Sequence, residues 1–214
     1  SDLVILGGGP GGYRAAEHAG KRGMSVLLVE KEHLGGVCLN RGCIPTKTLL
    51  HSAKTLLHAR EGGEFGVHVE AAAYDVAAAM KWKNRTVETL RKGIAYQMKR
   101  FSVEVVEGTG SLVGPTTIEV DGVRYHGDRA ILATGSSPAR IPIPGIDAPH
   151  VMTSREILDI ETLPEKVVVI GGGVIGMEFA SWLQTVGVEV HVVEMLDEIV
   201  PVLDPEVSAA MRKA

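Results

Sequence analysis

Short apolar runs alternate along the chain with glycine-rich turns and with segments whose apolar residues have helical spacing. Residues 3–6 form a continuous apolar run, as expected of a strand that is buried on both faces of a parallel sheet. A helix is predicted over residues 13–21, Gly23 ends it, and residues 25–29 form the next strand. The order strand, helix, strand predicts a parallel α/β unit.

The turn between the first strand and the helix carries glycines in the pattern G-x-G-x-x-G, at Gly7, Gly9 and Gly12. In such a turn the first glycine permits the tight bend, the second lets the backbone approach a pyrophosphate, and the third lets the helix pack close to the strand. The phosphates lie at the helix N-terminus. Glu30, at the end of the second strand, is placed to bind ribose hydroxyls. Together these parts predict a dinucleotide site.

The same unit occurs a second time, with a strand at residues 167–170, a helix at 177–185 and a strand at 188–193. Gly7 corresponds to Gly171 at a separation of 164 residues, and four further positions keep that separation. They pair as Gly9 with Gly173, Gly12 with Gly176, Gly23 with Gly187, and Glu30 with Glu194. The chain therefore contains two predicted dinucleotide sites. Because a carboxylate repels a 2′-phosphate, Glu194 favours NAD over NADP.

The region between the two units changes its pattern twice. Residues 71–100 have the spacing of a long helix, with an interruption expected near Trp82. Residues 103–127 read as short strands with frequent turns, and Asp121-Gly122 is a strong hairpin signal, so an antiparallel meander is predicted there. Five prolines at positions 138–164 indicate a crossover to the next domain.

Composition excludes several classes of function. A net charge of −4, with no basic stripe, gives no reason to expect a nucleic-acid partner. No apolar run approaches the ~18 residues that span a bilayer, so no membrane association is expected. No basic segment precedes the first strand, so a secretory signal is not expected. Two cysteines without a secretory context favour a reducing compartment, and a cytoplasmic location is predicted.

Cys38 and Cys43 are the only cysteines, and they are close in sequence. A disulfide ring of this size would stabilise the fold by only about 2 kcal/mol, so chemistry is a better reason for the pair than stability. The apolar spacing after Ile44 predicts a helix, and Pro45 suits its first turn. Cys43 would then lie at a helix N-terminus, which favours a thiolate. Two unpaired buried thiols are the alternative, whereas the spacing does not fit a zinc site, and no metal site is predicted.

The segment from Gly35 to Lys47, GGVCLNRGCIPTK, together with the two dinucleotide units, resembles the flavin-dependent pyridine nucleotide–disulfide oxidoreductases over the whole chain. The resemblance implies an α/β fold: a Rossmann-like, three-layer FAD-binding domain over residues 1–146, with the meander as an insertion, and the first part of a Rossmann-like NAD-binding domain over residues 147–214. It implies FAD contacts from Gly7, Gly9, Gly12, Glu30, Lys31, Gly36, Val37, Lys47, Gly110, Ala133, Thr134, Gly135 and Ser136. It implies NAD contacts from Gly171, Gly173, Val174, Ile175, Gly176, Glu178 and Glu194.

Catalytic roles follow from the same resemblance. Cys43 would be the thiolate that forms a charge-transfer complex with the oxidised flavin, and Cys38 would exchange with the substrate sulfur. Lys47 would lie beside the flavin, paired with Glu178. That pairing is physically reasonable, because a desolvated lysine needs an opposite charge. For Glu178 the alternative is an exposed residue in the first turn of a helix.

Within this family the sequence is most similar to the branch that oxidises dihydrolipoamide, free or on a lipoyl-carrier protein, and passes hydride to NAD. A homodimer is implied by the family alone. A relative that acts on glutathione disulfide or mercuric ion is the first alternative. The second is a fragment that is inactive by itself, because the family continues with more of the NAD domain, a second FAD segment and an interface domain that supplies a His–Glu base. On that interpretation, weak FAD retention and no lipoamide turnover are expected of the 214-residue chain alone.

Overall fold

The computed structural model describes residues 1–213 and has an α/β fold. The chain divides into two compact units. The first comprises Ser1–Pro45 and Asn84–Pro144, and the second comprises Thr46–Lys83 and the residues from Gly145 onward. Within residues 1–213 no helix is both long enough and apolar enough to cross a membrane.

The elements of the structure form, in chain order, a strand–helix–strand unit, three helices, five strands, a second strand–helix–strand unit and a further helix. They are β1 (Leu3–Leu6), α1 (Pro10–Gly20), β2 (Val26–Glu30), α2 (Gly36–Arg41), α3 (Cys43–Glu61), α4 (Val76–Arg100), β3 (Val103–Glu107), β4 (Gly110–Gly114), β5 (Thr117–Val120), β6 (Val123–His126), β7 (Arg129–Leu132), β8 (Lys166–Ile170), α5 (Val174–Thr185), β9 (Glu189–Val193) and α6 (Pro205–Lys213). Short 3-10 helices lie at Gly62–Phe65 and Glu156–Asp159.

The first unit is built on a four-stranded parallel sheet in the order β3-β2-β1-β7. Leu3 is opposite Val26 on one side and Arg129 on the other, so β1 is a central strand. Chain order reverses beside β1, because β2 follows it on one side and β7 on the other. In open parallel sheets, ligands bind at the carboxyl ends of the strands at such a reversal.

Both faces of this sheet are covered. On one face Ile5 and Leu28 pack with Met98 of α4 in a core that also includes α1. On the other face Val4 and Val29 pack with Ile118 of the antiparallel strands. The unit therefore has three layers, as the family resemblance implied: helices, parallel sheet and meander.

The meander is smaller than predicted. Strands β4, β5 and β6 form an antiparallel sheet, and the Asp121-Gly122 hairpin is confirmed, with φ of 48° and 80° as its turn type requires. The prediction was wrong for the first part of residues 103–127, because Val103–Glu107 pairs in parallel with β2. Apolar and polar residues alternate in β3 as they do in a meander strand, so local pattern did not distinguish the two.

The long helix is confirmed, but its interruption near Trp82 is not. Helix α4 is continuous from Val76 and begins later than residue 71. Asp75 explains the start, because its Oδ1 accepts a hydrogen bond of 2.9 Å from the Ala78 N–H, as N-capping side chains do. An aromatic residue lowers helix propensity only slightly, so Trp82 does not break the helix.

The second unit contains the parallel pair β8-β9, in which Lys166 is opposite Glu189, and α5 between them. Its core joins α5 to α3, the start of α4 and the second 3-10 helix, through Trp182, Leu183, Leu49, Ala79 and Ile157. Residues 46–83 thus pack with this unit, although the sequence grouped them with residues 1–146. Which cofactor each part binds stays a prediction.

Candidate functional site

Gly7–Gly12, here called the first glycine turn, is built so that two of its glycines admit no side chain. Gly7 has φ of +106°, and a Cβ there would lie 2.2 Å from the Ala133 carbonyl oxygen. A Cβ on Gly12 would lie 1.8 Å from the Gly7 carbonyl oxygen. Packing within the protein therefore requires glycine at both positions.

Gly9 is different, because the protein itself leaves room for a side chain there. Its φ is −73°, which any residue adopts, and the nearest atom to a built Cβ is the Gly36 Cα at 3.5 Å, an ordinary contact. Gly9 lies directly before the N-terminus of α1, where N–H groups favour an anion. The open space leaves room for the close approach of a pyrophosphate, and the pyrophosphate contact itself stays a prediction.

Glu30, at the end of β2, is hydrogen-bonded to this turn. Its Oε2 accepts a hydrogen bond of 2.7 Å from the Gly8 N–H, and its Oε1 accepts one of 2.9 Å from the Glu32 N–H. Each carboxylate oxygen has a second lone pair, so the side chain can still accept ribose hydroxyls. Lys31 is exposed immediately after the strand.

Other predicted FAD residues lie at the same edge of the sheet. Residues 133–136 directly follow β7, and the Ala133 N–H donates to the Leu6 carbonyl oxygen at 2.8 Å. Thr134, Gly135 and Ser136 are exposed. Gly110 begins β4, where a Cβ would lie 2.6 Å from a Leu6 methyl carbon. Gly110 and Ala133 therefore both lie beside the carboxyl end of β1.

Gly171–Gly176, the second glycine turn, repeats these contacts. Glu194 Oε2 accepts a hydrogen bond of 2.6 Å from the Gly172 N–H, and its Oε1 accepts one of 2.9 Å from the Leu196 N–H. These backbone donors, Leu196 foremost, hold the pKa of Glu194 below its ordinary value. A Cβ on Gly176 would lie 2.2 Å from the Gly171 carbonyl oxygen, whereas one on Gly173 would have no neighbour within 4 Å.

The start of α5 is open beside that turn, with Val174 45% and Ile175 60% exposed. In each turn packing requires glycine at one or two positions, Gly7 and Gly12 in the first turn and Gly176 in the second, and leaves another position open. That combination fits a dinucleotide at each turn.

The cysteine segment, Gly36–Cys43, begins on the first glycine turn. A Cβ on Gly36 would lie 2.5 Å from the Gly9 Cα, and φ at Gly35 and Gly36 is +108° and +61°. Helix α2 therefore starts in backbone contact with the predicted pyrophosphate site. Val37, in its first turn, is half exposed.

Cys38 lies in α2, and Cys43 is the first residue of α3, which confirms the predicted helix N-terminus at Cys43. Cys43 is exposed and Cys38 is half-buried, so the alternative of two buried thiols is wrong. No disulfide joins them in this structure. Gly42 separates the two helices, and a Cβ there would lie 3.0 Å from the Val37 carbonyl oxygen and 3.3 Å from the Cys38 Cα. The close packing of Gly42 keeps the backbone of both cysteines together.

In the second unit Lys47 Nζ forms an ion pair with Glu178 Oε1. Glu178 is 25% exposed and Lys47 is 59% exposed. The structure thus brings together the two side chains that the resemblance paired, and Glu178 is not a fully exposed residue. Among residues 1–213 no three side chains of the metal-binding types cluster.

Sequence reasoning missed Asn40 and Gly42, which lie between the cysteines. Gly42 could have been noticed, since a glycine between two short helices often marks close packing. The Asn40 Oδ1 accepts a hydrogen bond from Arg91 Nε, and because Arg91 is distant in sequence, no local pattern could have identified this contact.

Comparison with known proteins gives consistent relatives. A family model described as pyridine nucleotide-disulphide oxidoreductase matches residues 1–214. A dihydrolipoyl dehydrogenase of Acholeplasma laidlawii is 40% identical over 217 residues, with 99% of this chain and 65% of that protein covered. A dihydrolipoyl dehydrogenase of Chlamydia pneumoniae is 42% identical over 211 residues, with 97% of this chain and 45% of that protein covered.

Among solved structures, the HOCl-induced flavoprotein disulfide reductase RclA from Escherichia coli has a TM-score of 0.85 at 30% identity, covering 100% of this chain and 46% of that one. Its Cu(II) complex has a TM-score of 0.84 at 30% identity, with 99% of this chain and 46% of that one covered. The chain spans about half the length of most of these relatives.

Proposed function

We propose that this chain, which belongs to the pyridine nucleotide-disulphide oxidoreductase family, carries the disulfide and dinucleotide sites of a dihydrolipoamide dehydrogenase. The observation that carries the proposal is the contact of Gly36 with Gly9, which joins the cysteine segment to the first glycine turn. A redox pair next to a pyrophosphate site is the arrangement that electron transfer between a disulfide and a dinucleotide needs.

FAD is proposed for the first unit and NAD for the second. The first glycine turn and Glu30 would hold the FAD pyrophosphate and ribose, and the second glycine turn and Glu194 would hold those of NAD. FAD, when bound, supplies the redox chemistry that connects a dithiol with a nicotinamide. The half-exposed position of Val37 and the open N-terminus of α5 support this assignment.

The chain's own part in the reaction is thiol–disulfide exchange at Cys38 and Cys43. A substrate thiolate attacks the Cys38 sulfur, the Cys38–Cys43 bond breaks, and Cys43 leaves as a thiolate. The second substrate thiolate then attacks its own mixed disulfide, so the cyclic substrate disulfide forms and Cys38 leaves as a thiolate. The substrate loses two electrons and two protons, and the electrons remain on the two cysteines.

One feature favours these roles. Cys43 leaves at the N-terminus of α3, where the helix dipole favours a negative charge. The exposures of the two cysteines do not favour these roles, since Cys43 is exposed and Cys38, the proposed point of attack, is half-buried. Lys47, which pairs with Glu178, is a residue to which only the family resemblance assigns a role with the flavin.

The test is turnover of NADH with lipoamide by the flavin-loaded protein, together with its Cys38→Ser and Cys43→Ser variants. Each substitution should lower kcat by at least about 10³-fold, because the two sulfurs act as one unit. Ser111→Ala, an exposed change on β4, is the control and should be neutral. Retained lipoamide turnover in either cysteine variant would contradict the proposal. Since the matched relatives are longer, the 214-residue chain is assayed beside a protein of the relatives' length.

A second candidate is a reductase of another substrate, which the likeness to a structure named as a flavoprotein disulfide reductase favours. Turnover with glutathione disulfide and mercuric ion, compared with lipoamide, distinguishes the two functions. NADH against NADPH is the accompanying comparison, and Glu194 should favour NADH. Preference for NADPH and glutathione disulfide would support this second candidate.

Lipoyl-carrier proteins as partners, a homodimer and a cytoplasmic location complete the proposal. The names of the relatives support the lipoyl partners, the family resemblance supports the homodimer, and the low cysteine content supports the location. Light scattering tests the dimer, and cell fractionation tests the location. A monomeric mass for the complete protein would contradict the dimer.

A further inference from the structure

Helix α2, which carries Cys38, is too short to hold its own shape. It has six residues, and isolated helices shorter than about 12 residues are marginal in water. Its position therefore depends on contacts with the rest of the first unit. Leu39 is buried and supplies the apolar contact, but an apolar contact is non-directional. Directional contacts come from the backbone, where the Gly35 N–H donates to the Gly8 carbonyl oxygen at 2.8 Å, and from the polar side chains of Asn40 and Arg41, the latter paired with Glu32.

Asn40 makes several of these directional contacts. Its side-chain Nδ2 group donates to the Gly36 carbonyl oxygen at 2.9 Å, to the Leu34 carbonyl oxygen at 3.2 Å and to the His33 carbonyl oxygen at 3.4 Å. These three carbonyls belong to the loop after β2 and to the first residue of α2. One side chain thus joins the helix that carries Cys38 to the loop that follows Glu30.

The Asn40 side chain is itself held in place by a residue of α4. Its Oδ1 accepts a hydrogen bond from Arg91 Nε. Arg91 is only 28% exposed, and its guanidinium also lies 3.8 Å from Glu88 one turn earlier on α4. Because α4 is packed on the parallel sheet through Met98, a rigid helix fixes the orientation of the amide.

Asn40 and Cys38 lie two residues apart, so they project from opposite sides of α2. The amide therefore does not occupy the face on which the cysteine reacts. It acts on the cysteine only through the position of the helix. That position matters most for Cys38 and Cys43, because a disulfide tolerates only a narrow range of Cα and Cβ separations.

We propose that Asn40, oriented by Arg91, is a positioning residue for the cysteine pair, and that it favours closure of the Cys38–Cys43 disulfide. The inference rests on the proposed function, since it assigns Asn40 a role in the same exchange. Without the amide, α2 would sample positions in which the two sulfurs are too far apart. The disulfide would then form less readily, although the protein remains folded.

The test measures the equilibrium between the cysteine pair and glutathione in the flavin-loaded protein, by alkylation and mass spectrometry of the peptide that contains both cysteines. One glutathione disulfide accepts the two electrons: its S–S bond breaks, the Cys38–Cys43 bond forms, and two glutathione thiols carry away the two protons. Asn40→Ala should lower the equilibrium constant for ring closure about tenfold.

Arg91→Met should lower it by roughly threefold, because the three carbonyl contacts of Asn40 remain. The double variant should be no worse than Asn40→Ala alone, since Arg91 acts through Asn40. Asn84→Ala, an exposed asparagine on the same helix as Arg91, is the matched control and should change nothing. If Asn40→Ala does not fold, Arg91→Met and Arg91→Lys carry the test.

A merely structural role would lower the thermal midpoints of the reduced and oxidised forms equally and leave the glutathione equilibrium unchanged. That result would overturn the inference while the proposed function stands. A wild-type protein that forms no Cys38–Cys43 disulfide at any glutathione ratio would overturn the proposed function as well, and the two failures are thereby distinguished.

Discussion

The two glycine turns of this chain have the same local structure in different surroundings. Gly7 and Gly171 share φ of +106°. In each turn the acid that ends the second strand accepts one hydrogen bond from the turn and one from two residues further along the chain. The local structure is therefore repeated down to individual hydrogen bonds.

The surroundings of the turns differ because the sheets differ. In the first unit β1 has a neighbour on each side, and Ala133, which follows β7, leaves no room at Gly7. In the second unit β8 pairs with β9 alone among the described strands, and a Cβ on Gly171 would have no neighbour within 4 Å. The turn conformation is thus local, whereas the crowding at its first glycine comes from another strand.

The substitution with the largest expected effect separates the contribution of the unfavourable φ from that of the crowding. Gly7→Ala should lower the free energy of unfolding by about 3–5 kcal/mol, because it combines an unfavourable φ with a clash against the Ala133 carbonyl. Gly171→Ala should cost only about 1–2 kcal/mol, for the φ alone. Urea denaturation, with hydrogen exchange to assign each unit, measures the difference. Gly23→Ala, with φ of +79° and open space, is the control and should match Gly171→Ala. Equal losses at Gly7 and Gly171 would show that crowding contributes nothing.

A second pair of substitutions tests the space left at each turn. Gly9→Ala and Gly173→Ala should change the free energy of unfolding by less than about 1 kcal/mol, because both positions have an ordinary φ and room for a methyl group. Each should weaken its dinucleotide by at least about tenfold, since the methyl group would occupy the approach of the pyrophosphate. Titration with FAD and with NADH measures the two affinities separately. Unchanged affinity at both positions would contradict the dinucleotide assignment.

Acid stability provides a third test. The Leu196 and Gly172 N–H groups hold the pKa of Glu194 below its ordinary value of 4.5. The carboxylate therefore stabilises the fold above pH 4.5 and loses this contribution as pH falls through its lowered pKa. Glu194→Gln should remove that part of the pH dependence while the wild type keeps it. Urea midpoints between about pH 6 and pH 3 measure the effect, with exposed Glu70→Gln as the control that should resemble the wild type.

The smallest expected effect concerns a contact that the second turn has and the first lacks. Glu178 occupies the position in the second unit that Arg14 occupies in the first, 164 residues earlier. Arg14 pairs with Glu17 on its own helix, whereas Glu178 pairs with the distant Lys47. Because Lys47 is mostly exposed, Lys47→Met should lower stability by less than about 1 kcal/mol. If Lys47 acts beside the flavin, turnover should fall far more than stability does. Loss of turnover in proportion to stability would indicate an ordinary surface ion pair.

Much of this structure could be predicted because its signals are local. The strand β1, the hairpin at Asp121-Gly122 and the helix start at Cys43 each follow from residues that are close together in sequence. The failure that changed the topology was non-local. Val103–Glu107 joins the parallel sheet rather than the meander, because its partner β2 is far away in sequence.

The sequence by itself determined the two glycine turns, the acids that close them and the cysteine pair at a helix N-terminus, because φ preference, hydrogen bonding and helix capping act over a few residues. Only the tertiary structure decided what surrounds those features. It placed Ala133 against Gly7, Gly36 against Gly9 and Arg91 against Asn40. Such contacts join residues that are distant in sequence, and they depend on how strands and helices pack, which no local pattern records.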